Sequence, residues 1–152
     1  MSRAENAKEY FLQGYACSQA VVLAFADVCK VDESTLSKMT LPFGGGLGRL
    51  RLTCGAVSGM ATVVGLVFSS AENSPENKKQ TYAIVQELCK RFQERNGSLI
   101  CNDLLTGANL QVCVGGEAEA RTAEYYKKRP CAEIVYSAAN IVEEYLKERG
   151  VL

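Results

Sequence analysis

The sequence predicts an all-α protein, a single helical bundle spanning residues 1–152. Three observations carry that expectation. Apolar residues recur three and four positions apart along most of the chain, with no convincing alternating run. Helix-starting and helix-stopping residues punctuate those segments where caps are needed. A central stretch from Cys54 to Phe68 is apolar and rich in small residues, which suits a helix enclosed by its neighbours.

Taken in order, Ser2 and Glu5 form a capping box for a first helix that runs to about Leu12 and breaks at Gly14. A second helix is expected from about Ala16 to Val28, with Ala20, Val21, Ala24, Phe25 and Val28 on its apolar face. Asp32 caps a short amphipathic turn carrying Leu36 and Met39, which Pro42 terminates. The loop Phe43-Gly44-Gly45-Gly46-Leu47-Gly48-Arg49 follows, with Gly48 to Cys54 as a candidate extended piece. In the central helix behind it, Gly55 and Gly59 have the spacing that lets helices approach closely.

Ser74 and Pro75 start a long helix that should bury Tyr82, Val85, Leu88, Cys89 and Phe92 and stop at Gly97. A short piece from Cys101 to Leu105 ends at Gly107. A loop through Cys113, Gly115 and Gly116 leads to a surface helix with Glu117/Arg121 and Glu124/Lys128 at i,i+4. The last helix opens at Pro130, places Ile134, Ala138, Ile141 and Tyr145 on one face, and closes at Gly150.

Composition narrows the chemistry. Seventeen basic and seventeen acidic side chains cancel, which argues against the electrostatic footprint of a nucleic-acid binder. The chain has no histidine, which excludes Ser-His-Asp and Cys-His catalysis and every imidazole metal ligand. Its seven cysteines point toward sulfur instead. The opening Met-Ser-Arg-Ala-Glu-Asn-Ala-Lys-Glu lacks the apolar core of a signal peptide, so a cytoplasmic setting is expected. There, thiols bind metal, do redox chemistry or fill the core more often than they build a disulfide scaffold. Leu52 to Ala71 carries no charge over a membrane-spanning length. Thr53, Ser58, Thr62, Ser69, Ser70 and three glycines dilute it, so burial in the bundle is expected rather than membrane insertion.

Placed on this map, the cysteines separate. Cys17, Cys54, Cys101 and Cys131 each fall at a helix N-terminus, where unpaired N–H groups and the dipole favour a thiolate as nucleophile or ligand. Cys29 lies at a helix end, Cys89 on an apolar face and Cys113 in a loop, and core filling or exposure accounts for them. There is no Cys-x-x-Cys, so the zinc-knuckle, ferredoxin and thioredoxin signatures are absent. Any site joining the four must be assembled by the fold.

Several segments together resemble the C_GCAxxG_C_C family of redox-active proteins. They are Gly14-Tyr15-Ala16-Cys17-Ser18-Gln19-Ala20-Val21, the glycine loop, and Cys54-Gly55-Ala56-Val57-Ser58-Gly59, with Cys101 and Cys131 downstream. The similarity runs from about Lys8 to Leu146. It implies the same four cysteines as the site, and Ser18 stands where relatives are expected to carry alanine.

Three functions follow for testing. The first is thiol-based redox chemistry in the cytosol, a thiol-dependent oxidoreductase working with a redox partner protein. The second is a Cys₄ site holding zinc or an iron–sulfur cluster on Cys17, Cys54, Cys101 and Cys131. The third is a helical interaction module with structural cysteines. Arg49 and Arg51 before Cys54 either hold a thiolate or anionic substrate or sit in a solvated loop. Lys127, Lys128 and Arg129 are read as ordinary cations at a helix C-terminus. Asp103 is read as a cap or surface group. The glycine loop fits neither nucleotide fingerprint, so its glycines are expected to allow close backbone approach.

Overall fold

A computed structural model describes residues 1–152, and several of its helices begin from a local cause. Helix α1 (Arg3–Leu12) starts with the reciprocal box: Glu5 N–H donates to Ser2 Oγ at 3.1 Å, and Ser2 N–H donates to the Glu5 carboxylate at 2.6 Å. Ser2→Ala is expected to cost about 1 kcal/mol of stability, read as a shifted denaturant midpoint at unchanged slope.

The expected second helix is divided in two, α2 (Cys17–Leu23) and α3 (Ala26–Cys29). Phe25 leaves helical geometry between them (φ −121°, ψ 16°) and sinks fully into the core. The Ala24 carbonyl accepts instead from Arg3 Nη1 at 2.8 Å, and the same guanidinium pairs with Asp27. Helix α4 (Glu33–Thr40) is capped by Asp32 as expected and buries Leu36, but Met39 on its other side stays exposed. Pro42 does not end the chain's curl, because Leu41–Phe43 tighten into a 3₁₀ turn, which accepts proline early.

Helix α5 (Gly55–Phe68) is the central helix, and none of its residues is exposed. Its Gly55 and Gly59 both face α2. A Cβ on Gly59 would stand 2.9 Å from Val21 Cβ and 3.0 Å from the Ser18 carbonyl, so the small-residue spacing serves a helix crossing within the bundle. No helix of the structure is long and apolar enough to cross a membrane.

Helix α6 (Pro75–Asn96) buries Ile84, Leu88 and Phe92, spaced by four. Tyr82, expected inside, is 59% exposed, because two residues before Ile84 lies about 200° round the helix. Val85 and Cys89 are half-buried at the edge of that stripe. Helix α7 (Cys101–Gly107) follows an isolated antiparallel bridge between Thr53 and Ile100. Cys54 N–H donates to the Leu99 carbonyl at 2.8 Å, and Cys101 N–H to Leu52 at 2.7 Å. The expected extended piece is thus confined to the residues just before Cys54.

Helix α8 covers only Ala123–Lys128. It keeps the Glu124–Lys128 pair at 3.0 Å, but Glu117 lies outside it and Arg121 bonds elsewhere. Helix α9 (Cys131–Glu148) buries Ile134, Ala138, Ile141 and Tyr145 on the expected face. The core beneath these helices includes Phe11, Phe25, Leu36, Met60, Leu88, Phe92 and Ile141. Arg91–Glu148 and Arg95–Glu144 tie α6 to α9 from outside.

Candidate functional site

The most unusual backbone in the molecule lies between α4 and α5. Gly45, Gly46, Leu47, Gly48, Arg49 and Arg51 all have φ between 57° and 72°, so the chain makes a left-handed turn. Glycine takes such angles freely, whereas Leu47, Arg49 and Arg51 each do so at a cost of about 1–2 kcal/mol. Bonds spanning six residues hold the turn: Gly48 N–H to the Pro42 carbonyl (2.7 Å), Leu52 N–H to Gly46 (2.9 Å) and Arg51 N–H to Gly45 (3.1 Å). The loop after α7 clamps it from outside, with Gly115 N–H on the Arg49 carbonyl at 2.8 Å and Arg51 Nε on the Cys113 carbonyl at 3.0 Å.

This turn brings helix starts together. Cys17 opens α2, Cys54 caps α5, Cys101 opens α7 and Cys131 opens α9, and all four line one cavity of about 310 Å³. Cys54 and Cys101 are buried, while Cys17 and Cys131 are half-buried. All seven cysteines are free thiols, and Cys29, Cys89 and Cys113 do not line the cavity. Two glycines set the spacing. A Cβ on Gly55 would stand 2.4 Å from Cys17 Sγ, and one on Gly46 would stand 2.6 Å from Cys101 Cβ.

Burial governs the protons. Desolvation is the largest influence on Cys17, Cys54 and Cys131, and it pushes all three thiols up, Cys131 to about 12. Their mutual charges act in the same direction, with Cys17 raising both Cys54 and Cys131. The helix-start amides oppose this: Gly45 and Ser18 N–H favour the Cys17 thiolate, and Ala56 and Val57 N–H favour that of Cys54. The dipole argument from sequence therefore has the right donors but the wrong net sign, because desolvation outweighs a few amides.

A stability consequence follows. The folded protein holds the Cys54 and Cys131 protons at a pH where unfolded thiols, near 9, have lost theirs. Folding then binds protons, so stability is complete below about pH 9 and falls as pH rises toward 12. Anaerobic melting under reductant across that range should show the decline, and Cys131→Ala should make it shallower.

The cavity also carries charge. Arg49, Arg51, Arg121 and Arg129 line it, with Glu119 paired to Arg129. Arg51 Nη1 stands 3.7 Å from Cys101 Sγ. Arg121 donates to the Phe11 and Tyr15 carbonyls at 3.1 and 3.0 Å and stacks on Phe11 and Tyr125 at 4.4 and 4.9 Å.

Residues 15–145 match the family described as "Putative redox-active protein (C_GCAxxG_C_C)". The chain belongs to the C_GCAxxG_C_C family. No curated protein and no solved structure matches it.

Within this C_GCAxxG_C_C protein, a metal centre does not fit the site as it stands. No three Cys, Asp or Glu side chains form a group that could hold a metal ion. Cavity-lining sulfurs are not enough, since zinc needs its sulfurs about 2.3 Å from one centre. Sequence reasoning passed over Arg121, Tyr125 and Glu119, and it took Arg129 for an ordinary helix-end cation. Arg129 stands two residues before Cys131 and Arg51 three before Cys54, and an arginine just ahead of each cysteine was the available signal. Arg121 offered none, since the Phe11 and Tyr15 carbonyls that fix it lie more than a hundred residues away. Ser18 gains a consequence as well: its buried hydroxyl donates to the Thr40 carbonyl at 2.6 Å, tying α2 to the end of α4.

Proposed function

We propose that this chain is a thiol redox protein in which Cys17, Cys54, Cys101 and Cys131 cycle between dithiols and disulfides. One observation carries the reading: four thiols from four separate helix starts line a single cavity, and the other three cysteines stay outside it. Cys17 lies against the start of α5, where a Cβ on Gly55 would stand 2.4 Å from its Sγ, and its charge and that of Cys131 each act on Cys54.

Oxidation of one pair forms one S–S bond and releases two electrons and two protons. An external disulfide that accepts them leaves as two thiols. The chain has no histidine to take a proton, so thiolate formation relies on the amides at Cys17 and Cys54 and on the arginines around the cavity. A reducing compartment such as the cytoplasm suits a disulfide that forms and breaks in use.

The test is a thiol count on denatured protein before and after reduction, in a background where Cys29, Cys89 and Cys113 are serine. Protein first exposed to a disulfide should gain two or four thiols on reduction. A count that reduction leaves unchanged overturns the reading.

A further inference from the structure

The cavity around the thiols is cationic in a chain whose net charge is zero. Of its four guanidiniums, only that of Arg129 meets a carboxylate. Arg121 is held by two carbonyls and two aromatic rings, which fix its position and leave its charge uncompensated. Arg51 is 7% exposed, and its partners are the Cys113 carbonyl and the Cys101 sulfur. Arg49 keeps its Nε buried with no hydrogen-bond partner at all, the only such side-chain atom in the molecule.

A buried donor left unmet is costly, the more so on a charged group, and in native proteins it calls for a specific explanation. Neutral thiols do not supply the missing charge. The backbone adds to the case, since Arg49 and Arg51 both occupy left-handed geometry that glycine would hold more easily. The chain therefore sustains strain at the two positions that deliver guanidiniums to this cavity.

We propose that the cavity binds a small oxyanion, its charge seated on Arg49, Arg51 and Arg121 beside the sulfurs. A volume of about 310 Å³ equals on the order of ten waters, enough for a tetrahedral oxyanion or a short dicarboxylate. The proposal rests on the thiol reading only in setting the anion beside sulfurs that exchange; the binding itself needs no redox step.

Calorimetry on the reduced full-length protein under anaerobic conditions tests it, with sulfate, phosphate and malonate as probes. Dimethyl sulfone and malonamide serve as uncharged counterparts. At least one anion should bind one-to-one with Kd at or below about 1 mM, the neutral compounds should not, and added salt should weaken binding. Arg49→Gln and Arg51→Gln should each weaken it about tenfold or more. Preference for sulfate or phosphate over malonate assigns the site to tetrahedral oxyanions, and the reverse to carboxylates. No binding of any of the three anions, or equal binding of the neutral compounds, overturns the proposal. Variants that bind like the parent overturn it too, and if they fail to fold, the charge series on the unaltered protein decides alone. Protein that binds sulfate but shows no change in thiol count keeps the anion site and loses the redox reading. Protein that exchanges thiols but binds no anion does the opposite.

Discussion

Gly46→Ala is expected to destabilise the protein by about 2–5 kcal/mol, a large loss for one methyl group. The new Cβ would meet Cys101 Cβ at 2.6 Å, Leu52 N at 2.7 Å and Arg51 Cα at 2.8 Å. Two of these are backbone atoms, and they cannot retreat freely. Leu52 N–H is bonded to the Gly46 carbonyl, and the Leu52 carbonyl accepts from Cys101 N–H. A left-handed φ of 72° adds strain on top of the overlap. Gly48→Ala is the matched control, with a φ of 57° but no neighbour nearer than the Pro42 carbonyl at 3.9 Å. That variant should lose only about 1 kcal/mol, the left-handed cost alone. Denaturant midpoints of the pair separate crowding from backbone strain. Near-equal losses would mean that the close approach of Gly46 to Cys101 is not what the glycine provides.

Under the exchange reading, Cys17→Ser should have a large effect on the chemistry. The other three lining sulfurs remain, but the one packed against Gly55 at the start of α5 is gone. The reversible change in thiol count should disappear, while Cys89→Ser on α6, away from the cavity, should leave it unaltered. Serine is close to cysteine in size and keeps the fit against Gly55, so melting should change far less than for Gly46→Ala. If Cys17→Ser still gains two thiols on reduction, the exchange runs between other pairs and does not need Cys17.

Much of the fold was legible because its causes are local. Ser2, Asp32, Ser74 and Gly97 each act within four residues, and the helices they bound lie where those residues place them. The α9 face was readable for the same reason, as four residues at helical spacing face one neighbour set. Failures came where a distant partner decides. Phe25 broke the second helix because the core and Arg3 claimed Phe25 and the Ala24 carbonyl. Arg121 left the expected pair with Glu117 for carbonyls near the start of the chain. The four cysteines could be selected from their caps, but their common cavity depends on the left-handed turn, and no spacing rule encodes that. The direction of proton affinity at Cys17, Cys54 and Cys131 is opposite to the helix-dipole expectation, because burial is a property of the assembled site.

That last property sets how an electron carried here would depend on acidity. A disulfide whose product thiols keep their protons well above pH 9 is reduced only together with uptake of protons. Two electrons and two protons then travel as a unit, and the midpoint potential of such a pair should fall by about 59 mV per pH unit. Ordinary dithiols lose that slope once their thiols ionise near pH 8.5. Under the exchange reading, a pair formed by Cys54 and Cys131 should keep the slope unbroken through that point and so carry hydrogen atoms rather than bare electrons.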